Sequence, residues 1–315
     1  MSKNISIKSF GPFQTAVVAG AVVVGLVLST GQLTAAPMVD SVTATPGVAS
    51  VDRQAGITET AIYADSRPDI FARAGKARDA FGFPAGQRRT GRHVHDGYQH
   101  SEYDEVSDVD SAGNTVSMTQ FDQDGSLVSA VRFDTPPALA TGSSGEAATK
   151  AAQRGLAAQG MRTLGQARVK ENSVSGGWDL HWDRVEAGLA VRGDETSVHV
   201  WQDGRIQSVA KVEHKLAAAP ARRLSEAEAD QAVDHQMNAW FSGKDSGYSA
   251  DNTGLQWVGP NAAFDPSKVG ADPEPYRLAW VVNARPSGSV AEYVRLITLY
   301  VDAADGSIIG GDVVE

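Results

Sequence analysis

Apolar residues recur at helical spacing in three places along the chain, each opened by a capping residue and closed by a stop signal. Ile70, Phe71, Ala74, Ala77 and Phe81 follow Ser66 to Asp69 and end at Gly82 and Pro84. Ala148, Ala151 and Ala152 follow Ser143, Ser144, Gly145 and Glu146 and end at Gln159 and Gly160. The third run, Ala229, Ala232, Val233, Met237, Trp240 and Phe241, opens on Ser225 and Glu228 and stops at Gly243. Serine followed three residues later by glutamate is a capping box, because each side chain satisfies a backbone N–H that the helix start leaves free. Leu224 stands where it can staple against Ala229. The spacing therefore predicts three amphipathic helices.

Each helix is followed by two runs of strand formers joined through Asp-Gly. These are Val116 to Val128 around Asp124-Gly125, Val198 to Val209 around Asp203-Gly204, and Leu296 to Ile309 around Asp305-Gly306. Glycine accepts the positive φ that tight hairpin turns require, so each pair reads as a hairpin. From opening serine to turn glycine the distances are 59, 61 and 81 residues. The surplus in the last unit lies mostly in the Gly/Ser/Pro-rich stretch between Gly243 and Pro275. The expected fold class is α+β: tandem units of one helix packed on a small antiparallel sheet, over residues 65–140, 141–218 and 219–315.

The chain opens differently. Lys3 and Lys8 precede an uncharged apolar run from Ala16 to Leu28, and small residues follow as far as Ala36. Basic, apolar and small segments in that order describe a secretory signal peptide over residues 1–36. The apolar run is shorter than the roughly 20 residues a bilayer-spanning helix needs. A retained N-terminal anchor is the alternative, if Phe13 and Leu33 extend the segment. Residues 37–64, rich in Ala, Val, Thr and Ser, read as a flexible linker. The expected location is secreted or extracytoplasmic, with membrane contact only through a retained N-terminal segment.

The formal charge is −10, and loss of the two signal-peptide lysines takes it to −12. Such a surface repels nucleic acid and anionic lipid. With no cysteine in the chain, disulfides and thiolate metal sites are excluded. The remaining length can bury a sufficient core without such staples.

Two stretches carry a resemblance. Trp178 to Arg184, Gly188 to Asp194 and Val198 to Gly204 are similar to the propeptide regions of secreted thermolysin-like metalloproteases. Tyr276 to Val282 and Leu299 to Ile309 resemble the PepSY module that completes such propeptides. The likeness spans about residues 143–315 and fades over 66–140. It implies an extracytoplasmic module that packs against a peptidase and restrains or chaperones it. No His-Glu-x-x-His occurs, so the zinc-protease signature is absent from this chain.

Candidate chemistry is sparse. His93, His95 and His100 flank Asp96-Gly97, with Glu102 nearby. On a strand His93 and His95 project to one face, and three imidazoles suit zinc or copper. The competing reading is a polar hairpin with solvated histidines. Asp104, Glu105, Asp108 and Asp110 read as a solvated acidic face, because they lack the spacing of a calcium-binding loop. Trp178 and Trp182 share a nominal strand face and are either both core or both an exposed patch. No Gly-x-Ser-x-Gly elbow and no phosphate loop occurs, and no cofactor is expected. The function expected is a non-catalytic, secreted binding module that engages or inhibits an extracellular peptidase. The alternatives are an extracytoplasmic metal-binding protein and a cell-envelope structural or interaction protein.

Overall fold

A computed structural model describes residues 57–96, 101–135, 142–163, 165–173, 177–241, 247–265, 268–269 and 273–315. The predicted signal peptide, most of the predicted linker and His100 lie outside them. In chain order the elements are β1 (Ile57–Ile62), α1 (Pro68–Phe81), β2 (Arg88–Asp96), β3 (Ser101–Val109), β4 (Thr115–Asp122), β5 (Leu127–Arg132), α2 (Gly145–Ala158), β6 (Arg168–Glu171), β7 (Trp178–Glu186), β8 (Leu189–Val200), β9 (Ile206–Val212), α3 (Glu226–Phe241), β10 (Tyr248–Val258), β11 (Arg277–Pro286), β12 (Leu296–Asp302) and β13 (Ile308–Val314). A short 3-10 turn, Gly288–Glu292, precedes β12.

The local signals act as their chemistry dictates at α2 and α3, but at α1 the N-cap is Arg67 with no side-chain cap bond, and the Ser66 hydroxyl bonds the Tyr63 backbone instead. Pro68 opens α1, and Gly82 ends it in the left-handed region that glycine enters freely. Ser144 caps α2 by accepting the Ala147 N–H. Ser225 and Glu228 form the reciprocal box at α3: the Ser225 N–H donates to Glu228 Oε2 at 2.7 Å, and the Glu228 N–H donates to Ser225 Oγ at 3.3 Å. Gly125, Gly204 and Gly306 all have positive φ and turn β4 into β5, β8 into β9 and β12 into β13.

The tandem arrangement of small sheets is not what forms. The strands of all three predicted units join one mixed sheet of thirteen strands, in the order β1-β2-β3-β4-β5-β9-β8-β10-β11-β12-β13, with β7 also on β8 and β6 on β7. Two pairings overturn the expectation. Strand β5 of the first unit pairs antiparallel with β9 of the second through Ser129, Ala130 and Val131. Strand β8 meets β10 in parallel at Val191 and Trp257. The physical reason is the edge: a small sheet leaves a row of unpaired N–H and C=O groups at each side, and joining sheets satisfies them.

Helices α1 and α2 lie together on one face of the β1–β9 portion. Ile70, Phe71, Ala74, Phe81, Ala148, Ala152 and Leu156 bury there against Val106, Phe121, Leu180, Trp182, Val198 and Val209. Helix α3 buries Ala229, Val233 and Met237 against Val282, Ala284, Ile297, Leu299 and Val301 of the β10–β13 portion. Each large side chain fully buried contributes roughly 1.5–3 kcal/mol, so these two contact faces hold the helices in place. Trp178 and Trp182 both belong to the first core, Trp182 fully and Trp178 in part, and the Trp178 indole donates to the Ser143 carbonyl at 2.8 Å. Among the described residues no helix is long and apolar enough to cross a membrane.

Candidate functional site

Side chains alternate across a strand, so the register fixes what the helix-free face of the β1–β9 portion presents. One row crosses that face: Arg92, Glu105, Gln120, Ser129, Ala210, Ser197, His181 and Arg168, each paired with the next. Large polar side chains stand at both ends and small ones in the middle, so side-chain length dips along the row, a trough in that sense across the strands. A neighbouring row runs Ser107, Met118, Val131, Ser208, His199 and Asp179.

Hydrogen bonds set this face in one arrangement. Arg92 donates to Glu105 Oε1 at 2.8 Å and to Glu59 Oε1 at 2.6 Å. Gln120 donates to Glu105 Oε2 at 3.1 Å and accepts from Ser129 Oγ at 2.6 Å. Partial burial works against the Arg92 charge, but Glu105 and Glu59 outweigh it and hold the guanidinium above its usual pKa. At the far end His181 pairs with Glu195 at 3.1 Å, and His199 pairs with Asp179 at 2.6 Å.

The acidic stretch on β3 is not a solvated face. Asp104, Glu105 and Asp108 are each about 95 % or more buried. Asp104 meets Arg67 at 2.7 Å and Asp108 meets Arg89 at 3.1 Å. The sequence shows the acids as neighbours but not the arginines that strand pairing and helix packing bring to them. Asp110 does sit in a turn, where it accepts the Ala112 and Asn114 N–H groups at 2.8 Å each and its carboxyl is held below the usual range, first by Asn114.

Of the predicted metal residues, His93 and His95 lie two apart on β2, on the α1-facing side. His93 Nδ1 contacts Asp104 Oδ1 at 2.9 Å and His95 Nδ1 contacts Glu102 Oε1 at 3.0 Å. With a carboxylate at Nδ1, Nε2 is the ring nitrogen left for a ligand. His100 lies outside the described residues. Among the described residues no group of three or more His, Asp or Glu side chains is placed to hold a metal ion.

Comparison with known proteins adds little to this geometry. No protein family matches the chain, and no curated protein matches it. Among solved structures, the Bacillus megaterium YpeB C-terminal domain is similar at 11% identity and a TM-score of 0.40, over 78% of this chain and 97% of that one. A likeness so slight carries no argument about family or activity.

Proposed function

We propose that the protein is a non-catalytic binding module that acts outside the cytoplasm and engages another polypeptide, with an extracellular peptidase as its partner. The observation that supports this most is the trough on the helix-free face. Its polar groups are already locked to one another, so a partner docking there meets a surface ordered in advance and loses little conformational freedom. The small residues Ser129, Ala210 and Ser197 leave room for a segment of chain. Arg92 and Arg168 at the two ends supply charged donors. The choice of a peptidase rests on the resemblance to propeptides in the sequence.

The test is a titration of the exported protein into the peptidases of its own secreted fraction. Peptidase activity is expected to fall to a plateau at one-to-one stoichiometry, with Arg92→Glu weakening the effect at least tenfold. Undiminished activity at saturating protein, with no complex on size-exclusion chromatography, removes the peptidase reading.

A second reading is favoured by one observation. The carboxylate–histidine contacts at His93 and His95 resemble the outer-sphere partners that orient imidazoles toward a metal. His93, His95 and His100 would be the ligands. Zinc titration followed by calorimetry decides it: uptake that His93→Ala abolishes supports the site, and no uptake at micromolar zinc dismisses it.

A further inference from the structure

On the helix side of the sheet, a cleft of about 470 Å³ opens beyond the C-terminal end of α2. Arg73 and Lys76 of α1, Met161 and Arg162 after α2, Trp182 of β7 and Lys211 of β9 line it, with Phe121 and Leu127 adding apolar surface. Its charge balance is opposite to that of the whole chain. Five cations (Arg73, Lys76, Arg162, Arg184 and Lys211) line it against three anions, Asp183, Glu195 and Glu213.

The anions are already occupied. Asp183 and Glu195 turn their carboxylates to Arg168 on the helix-free face, at 2.7 Å and 3.1 Å, while Glu213 is held by Lys211 and by Arg184. Arg73 spends a donor on the Gly125 carbonyl at 2.8 Å. Among the described residues Arg73, Lys76 and Arg162 have no carboxylate partner. Three uncompensated cations gathered at one cleft of an acidic protein favour an anion strongly.

A second observation points the same way. Trp182 is 98% buried, yet its indole Nε1–H has no acceptor. An unmet buried donor costs about 1–3 kcal/mol, and a ligand oxygen that reaches it removes that cost. The Gly155, Leu156 and Ala157 carbonyls at the end of α2 do not compete for the cations, since Gln159, Gly160 and Met161 N–H groups already cap them.

We propose that this cleft binds a carboxylate-bearing peptide segment. Apolar side chains of the segment lie against Met161 and Leu127, and its carboxylates meet Arg73, Lys76 and Arg162. The inference does not depend on the trough or on a peptidase partner, because it rests on a different face of the sheet.

Calorimetry on the full exported chain tests it with three probes: acetyl-Leu-Glu-Leu-Glu-amide, acetyl-Leu-Gln-Leu-Gln-amide and inorganic phosphate. The acidic peptide is expected to bind at least tenfold more tightly than the other two, and to weaken as salt is raised. Lys76→Ala and Arg162→Ala should each cost about tenfold in affinity while leaving the melting temperature unchanged, since charged hydrogen bonds are worth this much. Trp182→Phe should lose several-fold and also remove the fluorescence change on binding. Equal binding of the glutamine peptide, phosphate binding as tight as the acidic peptide, or unchanged affinity in Lys76→Ala and Arg162→Ala overturns the proposal.

Discussion

The imidazole of His214 lies stacked on the phenol of Tyr276, with ring centroids 4.3 Å apart and planes within 10°. This pair sits where the two portions of the sheet meet. His214 Nδ1 is held by Asp194 Oδ1 at 2.5 Å, and Asp194 has no exposed side-chain surface. Tyr276 is tied by its own backbone to Lys215 and Ala217 at 2.8 Å each. The stack therefore fastens the segment after β9 to the start of β11, beside β8 and β10, which share one Cα partnership, Val191 with Trp257. Tyr276→Ala is expected to uncouple the portions, so that a two-step unfolding curve replaces a single transition.

Tyr276 also sets an alkaline limit. Burial, with the charge of Asp194 beside it, pushes its hydroxyl up to about 12. A phenol whose pKa is raised in the folded protein contributes stability that is complete below its ordinary value near 10 and is lost as pH climbs from there to about 12. Tyr276→Phe should flatten the decline in unfolding free energy across that window. Tyr248, pushed up to about 12 by burial and its bond to Asp234, keeps part of the decline in the variant. Denaturant unfolding at successive pH values reads both.

The ion pair between Arg277 and Asp302 is asymmetric. Asp302 is 98% buried while Arg277 is about one-third exposed, and their closest atoms are 2.5 Å apart. Removing the arginine leaves a carboxylate charge without compensation, which costs about 3–5 kcal/mol. Removing the charge of the aspartate leaves an arginine that water can reach, at about 1–3 kcal/mol. Arg277→Ala should therefore be clearly more destabilising than Asp302→Asn in chemical denaturation, and equal losses would contradict the burial argument.

Gly311 on β13 tolerates no side chain. A Cβ there would stand 2.0 Å from the Thr298 carbonyl oxygen and 2.6 Å from the Phe264 ring, and Asn261 bonds its N–H and its carbonyl. Gly311→Ala is expected to displace β13 and lower the melting temperature by many degrees. At α3, Ser225→Ala removes one cap at a cost of about 1 kcal/mol, a smaller shift in the same assay.

What the sequence reveals here is what short-range chemistry decides. The box of Ser225 and Glu228, the stop at Gly82 and the three Asp-Gly turns all depend on neighbours within a few residues. A fourth turn, Asp110 to Asn114, uses the same hydrogen bonds as Asp122 to Ser126. Its signal is an aspartate followed three residues on by glycine, visible at both places. The joining of β5 to β9 and of β8 to β10 is long-range, and nothing local to Ser129 or Val191 announces it. The acidic run at Asp104, Glu105 and Asp108 misleads for the same reason, because its arginines come from α1, β2 and the approach to α1. The cleft gathers Arg73, Arg162 and Trp182 from three distant stretches, so no motif marks it.

The most direct test of the binding reading is inhibition of a secreted peptidase by the purified protein, with Arg92→Glu as the control. The account predicts a saturable, one-to-one loss of peptidase activity that the variant weakens at least tenfold. Full activity at saturating protein, or inhibition that Arg92→Glu leaves unchanged, would contradict the assignment of the trough as the docking face.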